Sequence, residues 1–310
     1  MSSILTNNSA LSALQSLTTT QKSLQTTQNQ ISSGLKIATA ADNAGYWSIA
    51  TQMRSDNGAL GAVADALNVS GSMIDTFTSA VNQTIDVVNK IKNSLIAAQQ
   101  PGSDAAKIQT DIAAQQNELK SMVASANFNG DNWLQGDSTA ATTTPGSLSN
   151  SGVRKLVASY NNATGVSTIT VTTSGTTLID SNTTTTSATN KGILSVDGAA
   201  SGKSVLNMDV TSVPTGKTIA DFLKDVDTAI KSLTTVSATL GGAKAAVTTQ
   251  QSFIDKLQVS LTSGVSSLVD ADMNEASTRL QALQTQQQLG VQALSIANQN
   301  SQMILQLFRS

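Results

Sequence analysis

Two long, almost uncharged stripes of apolar and small residues, one at each end of the chain, limit what it can fold into. From Val269 to Phe308 they recur in alternating steps of four and three: Val269, Met273, Ala276, Leu280, Leu283, Gln287, Gly290, Leu294, Ala297, Ser301, Ile304 and Phe308. The N-terminal stripe has the same rhythm, through Ala10, Leu14, Leu17, Gln21, Leu24, Gln28, Ile31 and Leu35. A mean step of 3.5 keeps one face of a helix against a partner helix, the seam of a coiled coil. Residues 1–35 hold one charged side chain, Lys22, and residues 276–310 hold only Arg279 and Arg309. A solvated coiled coil carries charges beside its seam. Here the flanks are Gln, Asn, Ser and Thr, so they are expected to face other protein or a neutral channel. The predicted self-assembly contacts are Leu14, Leu17, Leu24, Ile31 and Leu35 at one end, with Leu280, Leu283, Leu294, Ala297, Ile304 and Phe308 at the other.

The N-terminal seam offers five large aliphatic side chains. Their burial falls well short of the conformational entropy lost on ordering the segment. Both termini are therefore expected to be disordered in the monomer and to fold when several copies bury them together. The competing reading is an ordinary intramolecular helical hairpin.

Composition narrows the function. The 310 residues include no Cys and no His, which removes disulfides, thiolate chemistry, imidazole catalysis and the common zinc sites. A net charge of −2 and a charged fraction of 12% leave no basic footprint for nucleic acid. Only nine residues are aromatic, which suits elongated helical packing better than several compact cores. Met1–Ser23 lacks the basic start and apolar core of a signal peptide, so export is expected to use a route without a cleaved signal. No stretch approaches the ~18 apolar residues of a membrane span.

A second stripe runs Leu60, Val63, Leu67, Ser70, Ile74, Phe77, Val81, Thr84, Val88, Ile91 and Leu95, and stops before Pro101-Gly102. A shorter helix follows, with Ser103 as expected N-cap and Ile108, Ile112, Leu119 and Met122 on its face. From Gly136 to about Gly216 the chain is rich in Thr, Ser, Gly and Asn. Its β-prone runs are Lys155–Tyr160, Ser167–Thr173, Ile193–Val196 and Val205–Val210, and Asn182–Asn190 reads as a surface loop. Helix returns at Thr218, which forms a capping-box pattern with Asp221. Gly241-Gly242 permits a bend before the stripe resumes at Val247, Ile254, Leu257, Leu261 and Leu268. The fold class is mainly α: a long coiled-coil-like bundle of the N- and C-terminal parts, with a small, mainly β insertion. The expected divisions are 1–35, 36–135, 136–216, 217–268 and 269–310.

Short catalytic patterns do not survive inspection. Gly202-Lys203-Ser204 and Gly216-Lys217-Thr218 lack the first Gly of a phosphate loop, where Asp197 and Thr211 stand. Ser33-Gly34-Leu35-Lys36 matches a four-residue acyl-enzyme pattern with no partner motif, and reads as a helix end. Asp270, Asp272 and Glu275 read as dipole charges at a helix start rather than a metal site. The chain is expected to be no enzyme and to need no cofactor or metal.

Longer motifs carry a resemblance. Leu268–Met273, then "QQQLGVQALSIANQNSQMILQLF" over Gln286–Phe308, resembles the C-terminus of bacterial flagellins. "NNSALSAL" at Asn7–Leu14, "QISSGLKIATAADNAG" at Gln30–Gly45 and "FNG" at Phe128–Gly130 resemble their N-terminal part. The match covers roughly 1–135 and 216–310 and leaves the middle uninformative. It implies an extracellular structural subunit of the flagellar filament, used in swimming. Residues 1–35 and 269–310 would form an inner tube, 36–135 and 217–268 the helical core, and 136–216 a surface domain. The implied partners are further copies of the chain, other flagellins of the same filament, the type III export apparatus, an export chaperone, the filament cap and hook-associated proteins, with no nucleic acid and no membrane insertion.

The alternative within the superfamily is the hook–filament junction protein. A type III translocator would need a membrane-competent segment, and a flagellin with a metallopeptidase insert would need the His that this chain lacks. Two departures stand out. Tyr46-Trp47 replace Gly-Leu, so linker packing is expected to differ. Asn89–Ala98 lacks the Glu-Leu pair read by immune flagellin receptors, which implies weak activation.

Overall fold

The structure, a computed structural model, describes residues 7–136, 153–161, 165–173, 175–180 and 192–307, with side chains to Gln299. Its elements in chain order are α1 (Asn8–Ser33), α2 (Ala44–Ala98), α3 (Ala105–Ser125), β1 (Gln135–Gly136), β2 (Val153–Asn161), β3 (Gly165–Thr172), β4 (Ile179–Asp180), a 3-10 turn (Val205–Asn207), α4 (Ile219–Val269) and α5 (Met273–Leu307). They form two compact units, one of residues 1–58 with 258–310 and the other of residues 59–257.

In the 59–257 unit the core follows the sequence rhythm. Every member of the Leu60–Leu95 stripe of α2 is buried. The polar members are neutralised locally: Ser70 and Thr84 donate their hydroxyls to the Ala66 and Ala80 carbonyls, which turns their remaining surface to the core. Phe222, Val226, Leu233, Val236, Leu240, Val247 and Ile254 of α4 are buried in the same unit, with Ile112, Leu119 and Val123 of α3. Cross-helix pairs show α2 and α4 to be antiparallel: Lys92 to Asp227 at 2.7 Å, Ser237 to Asn82 at 3.1 Å and Gln251 to Asn68 at 2.6 Å. Gly241-Gly242 does not interrupt α4.

Helix ends explain most boundaries. Asp221 accepts from the Thr218 N–H at 3.0 Å, the back-reaching half of a capping box. The cap of α3 differs from expectation. Asp104 accepts from the Lys107 N–H at 3.3 Å, while Ser103 donates backward to the Ala98 carbonyl at 3.1 Å. After α3, Phe128 and Asp131 exchange backbone hydrogen bonds across Asn129 and Gly130, at φ 53° and 87°. Two consecutive positive φ angles define the tight reversal that Asn-Gly favours. The turn presents Trp133, whose ring stacks on Phe77 with centroids 4.9 Å apart.

The middle region contains two two-stranded sheets. β2 and β3 are antiparallel, from Val153↔Thr172 to Asn161↔Gly165, with a bulge between Val157 and Ser159. β1 and β4 pair in parallel through Gln135↔Ile179 and Gly136↔Asp180. The β-prone runs at Ile193–Val196 and Val205–Val210 are not strands. The first lies in a turn closed by Ser195 and Val196 N–H groups on the Gly192 carbonyl, and the second opens with the 3-10 turn. Ile193 and Leu194 donate to the Thr177 and Leu178 carbonyls at 3.0 and 2.8 Å, and helix side chains satisfy the backbone of the second run. Gln116 donates to the Val205 and Met208 carbonyls, both at 3.0 Å, and Gln109 accepts from the Val210 N–H at 2.9 Å. Leu194, Val205, Leu206, Met208 and Val210 are buried there without a pleated neighbour. β propensity reports fit to a half-buried surface, and a helix can supply that surface too. Asn182–Asn190 lies outside the described residues.

Candidate self-association surface

In the unit of residues 1–58 and 258–310, α1 pairs antiparallel with α5 as far as Ala297. Asn7 starts α1 and joins it to α5. Its Oδ1 accepts from the Ala10 N–H at 3.0 Å, and its Nδ2 donates to the Ala297 carbonyl at 3.0 Å. At the other end Gly34 takes the left-handed conformation, φ 71°, which closes α1 and turns the chain. Ser33 is spent on that ending, its hydroxyl donating to the Asn29 carbonyl at 2.8 Å. The chain then crosses the break between α4 and α5. Lys36 and Ile37 donate to the Val269 carbonyl at 2.7 and 3.2 Å, and Ala271 donates to the Gly34 carbonyl at 2.9 Å.

Three acids shape this junction. Asp272 caps α5, accepting from the N–H groups of Asn274 at 2.9 Å and Glu275 at 3.2 Å. Asp270 accepts from the Ser266 hydroxyl, and Glu275 pairs with Arg279 at 2.8 Å. Beneath the junction Ile37, Ala50, Val265 and Val269 form a small core, flanked by Leu35, Met53 and Leu268. Asp42 braces the intervening loop. The Thr39 N–H, then the Thr39 hydroxyl and the Ala38 N–H, hold its carboxyl below the usual carboxylate range. No group of acids among the described residues could hold a metal, and no described helix is long and apolar enough to cross a membrane.

On α5 the residues turned away from solvent are Leu280, Leu283, Gln287, Gly290, Leu294 and Ala297, all half-buried, with Ala276 fully buried. Gly290 allows close approach, since a Cβ there would lie 3.0 Å from Leu17 Cδ1. On α1 the half-buried or buried set is Ala10, Ala13, Leu17, Thr20, Leu24, Thr27, Gln30 and Ile31. This differs from the expected N-terminal stripe at every second position. Ala13, Thr20 and Thr27 replace Leu14, Gln21 and Gln28, which are exposed. The threonines fit because their hydroxyls donate to the Ser16 and Ser23 carbonyls at 3.0 and 2.9 Å, leaving methyl groups for the partner helix.

The predicted contacts therefore separate. Leu17, Leu24, Ile31 and Leu35 are half-buried, as are Leu280, Leu283, Leu294 and Ala297, whereas Leu14 stays 51% exposed. Ile304 lies on α5 with its side chain beyond the described ones, and Phe308 lies outside the described residues. Sequence reasoning passed over Leu11, Leu289, Val291 and Ile296, exposed by 54–63%. Their signal was available: each is a large aliphatic residue displaced from the stripe on a helix that needs only one seam. With Leu14 they gather toward the Asn7–Ala297 end, where neither helix has an ionisable side chain from Asn7 to Gln21 or from Leu280 to Gln299. Such a surface can associate by apolar burial and amide hydrogen bonding, and it has no proton-transfer group to offer.

Comparison with known proteins gives matches at both ends and along the whole chain. Residues 4–139 match the family model described as the bacterial flagellin N-terminal helical region, and residues 223–308 match that of the bacterial flagellin C-terminal helical region. Flagellin C of Rhizobium meliloti (strain 1021) is 42% identical over 329 aligned residues, covering all of both chains. Flagellin of Brucella melitensis biotype 1 is 44% identical over 314 residues, again covering both chains fully. Flagellin A of Rhizobium meliloti is 37% identical over 397 residues with full coverage of each.

Proposed function

The chain belongs to the bacterial flagellin family, and we propose that its α1–α5 pair is the surface through which copies join. It is a structural subunit of the extracellular flagellar filament and not an enzyme. One observation carries the assignment of the joining surface: among their described side chains the two helices bury only Thr20, Thr27 and Ala276, and leave large aliphatic residues in water at their Asn7–Ala297 end. A monomer gains little by ordering such a pair, whereas a polymer buries it in every subunit.

In this reading residues 1–35 and 269–310 form the inner tube of the filament. Residues 36–135 and 217–268 form the helical core, and 136–216 form the surface domain. The contacts are Leu14, Leu17, Leu24, Ile31 and Leu35 with Leu280, Leu283, Leu294, Ala297, Ile304 and Phe308. The export apparatus, an export chaperone, the cap and hook-associated proteins are further proposed partners, reached by a chain that travels unfolded.

The test adds purified monomer to short filament seeds and follows elongation by negative-stain electron microscopy, beside a chain ending at residue 275. Elongation by the intact chain alone supports the assignment. Equal elongation by the truncated chain rules it out.

A further inference from the structure

The sequence holds two Asn-Gly pairs, Asn57-Gly58 and Asn129-Gly130. Asn-Gly is the dipeptide in which a backbone amide most readily attacks the side chain before it, because glycine has no Cβ to shield its nitrogen. The glycine nitrogen bonds to the asparagine Cγ, the Cγ–Nδ2 bond breaks, and Nδ2 leaves as ammonia with the proton that the backbone amide gives up. Water then opens the cyclic imide at either carbonyl and leaves aspartate or isoaspartate. The two pairs stand in different settings. Asn57-Gly58 lies inside α2, where the Gly58 N–H belongs to the helix ladder and Asn57 Nδ2 donates to the Thr262 hydroxyl at 3.3 Å. Asn129-Gly130 is exposed at the tip of the reversal after α3. The paired backbones of Phe128 and Asp131 pin it from both sides, at 2.9 and 3.0 Å. One further contact falls on the nucleophile itself: Asn127 Oδ1 accepts from the Gly130 N–H at 2.8 Å. While that proton is held, the Gly130 nitrogen is turned toward Asn127 and is not free to attack Asn129.

We propose that Asn129 is the chain's site of spontaneous deamidation and that Asn127 sets its rate by holding the Gly130 N–H. The consequences reach beyond the turn. Aspartate at 129 puts a second carboxylate two residues from Asp131, which already accepts from Trp133 Nε1 at 3.0 Å and from Arg154 at 2.9 Å. Isoaspartate adds a methylene to the backbone between the paired Phe128 and Asp131, so the two bonds of the reversal lose their register. Either product loosens the turn that seats Trp133 on Phe77. A subunit built into an extracellular filament is not resynthesised in place, so the conversion accumulates with its age.

Full-length wild type, Asn127→Ala and Asn127→Asp are held in mildly alkaline buffer, both folded and unfolded in urea, and sampled over days. Peptide mass spectrometry follows the amide-to-acid mass gain at Asn129 and Asn57, and enzymatic methylation of isoaspartate identifies the branched product. Folded wild type should convert at Asn129 ahead of Asn57, and more slowly than the same chain in urea. Folded Asn127→Ala should convert at Asn129 about fivefold faster than wild type, the net worth of one neutral hydrogen bond, and no faster in urea. Asn127→Asp keeps an acceptor oxygen and should stay near the wild-type rate. A folded Asn127→Ala chain that converts no faster than wild type would overturn the proposal. So would equal acceleration in urea, which marks an effect of sequence alone, or equal acceleration by Asn127→Asp, which removes the acceptor from the explanation. Asn57 converting first would overturn the choice of site. The comparison of folded with unfolded wild type needs no variant, and equal rates there would refute the protection even if Asn127→Ala fails to fold.

Discussion

Replacing Leu14 by Ala should weaken filament growth without weakening the folded monomer. Leu14 is 51% exposed on α1, so about half its side-chain surface remains for a neighbouring copy to cover. Fully burying a leucine is worth about 1.5–3 kcal/mol, so the uncovered half, less the methyl that Ala retains, corresponds to about 1 kcal/mol per subunit. Since about 1.4 kcal/mol is a tenfold change in an equilibrium constant, the monomer left beside growing filaments should rise about fivefold. The assay pelletes filaments at steady state and measures soluble protein, with urea unfolding of the monomer run in parallel. Monomer stability should move by less than about 0.5 kcal/mol, as for other exposed positions. Leu17→Ala should also raise the soluble fraction with little change in monomer stability, because Leu17 packs against Gly290 only once α1 and α5 order in the filament. Gln15→Ala, on an exposed polar flank, should change neither quantity. A soluble fraction for Leu14→Ala equal to that of wild type would refute the reasoning.

Three further outcomes are expected. Far-ultraviolet circular dichroism of the monomer should fall short of that of the filament by roughly the 26 residues of α1 and 35 of α5, and equal helicity would show the termini already ordered. Monomer stability should be flat between about pH 5 and 9, because the chain has no His, and should fall below the ordinary aspartate value of ~3.9. Asp42, Asp209 and Asp221 are held low mainly by the Thr39 N–H, the Thr211 hydroxyl and the Thr218 N–H, so their contribution is present above the unfolded value and lost as pH drops through the folded one; urea midpoints across pH measure this. Gly198→Ala should cost roughly 2–4 kcal/mol in urea unfolding, since its Cβ would fall 2.0 Å from Asp225 Cγ and dislodge a carboxylate that accepts from Ala200 and Ser201, whereas Gly241→Ala, with open space around it, should stabilise α4 by up to about 1 kcal/mol.

The long α2 stripe was readable residue by residue, because a helix buried along one face has little choice of which residues to bury. The N-terminal seam was less readable. Leu14 outweighs Ala13 on any hydrophobicity scale, and Gln21 and Thr20 are both polar. What decides between them is invisible in composition: a threonine hydroxyl can be absorbed by its own helix, and a glutamine amide needs an outside partner. Leu14 was read as a contact from its place in the stripe, yet within the chain it contacts little. The strands at Val153–Asn161 and Gly165–Thr172 were legible as adjacent β-prone runs around a turn. The run near Val205 misled because its backbone is met by Gln109 and Gln116 of α3, about ninety residues away, and the run near Ile193 because it turns on Gly192 after bonding to the Thr177 and Leu178 carbonyls. Tyr46 and Trp47 were noticed as unusual, but their exposure depends on how the junction core closes without them.

The hydrogen bond from Asn7 to Ala297 brings the start of α1 and a late turn of α5 to one pole. Under the proposed joining surface, a bulky group fixed to either helix at that pole sits in the same contact, so moving it from one helix to the other relocates the obstruction only slightly. A label that leaves growth intact belongs in the interior of the sequence. By the same geometry a protease needs to trim only one of the two ends to leave a subunit that its neighbours cannot extend.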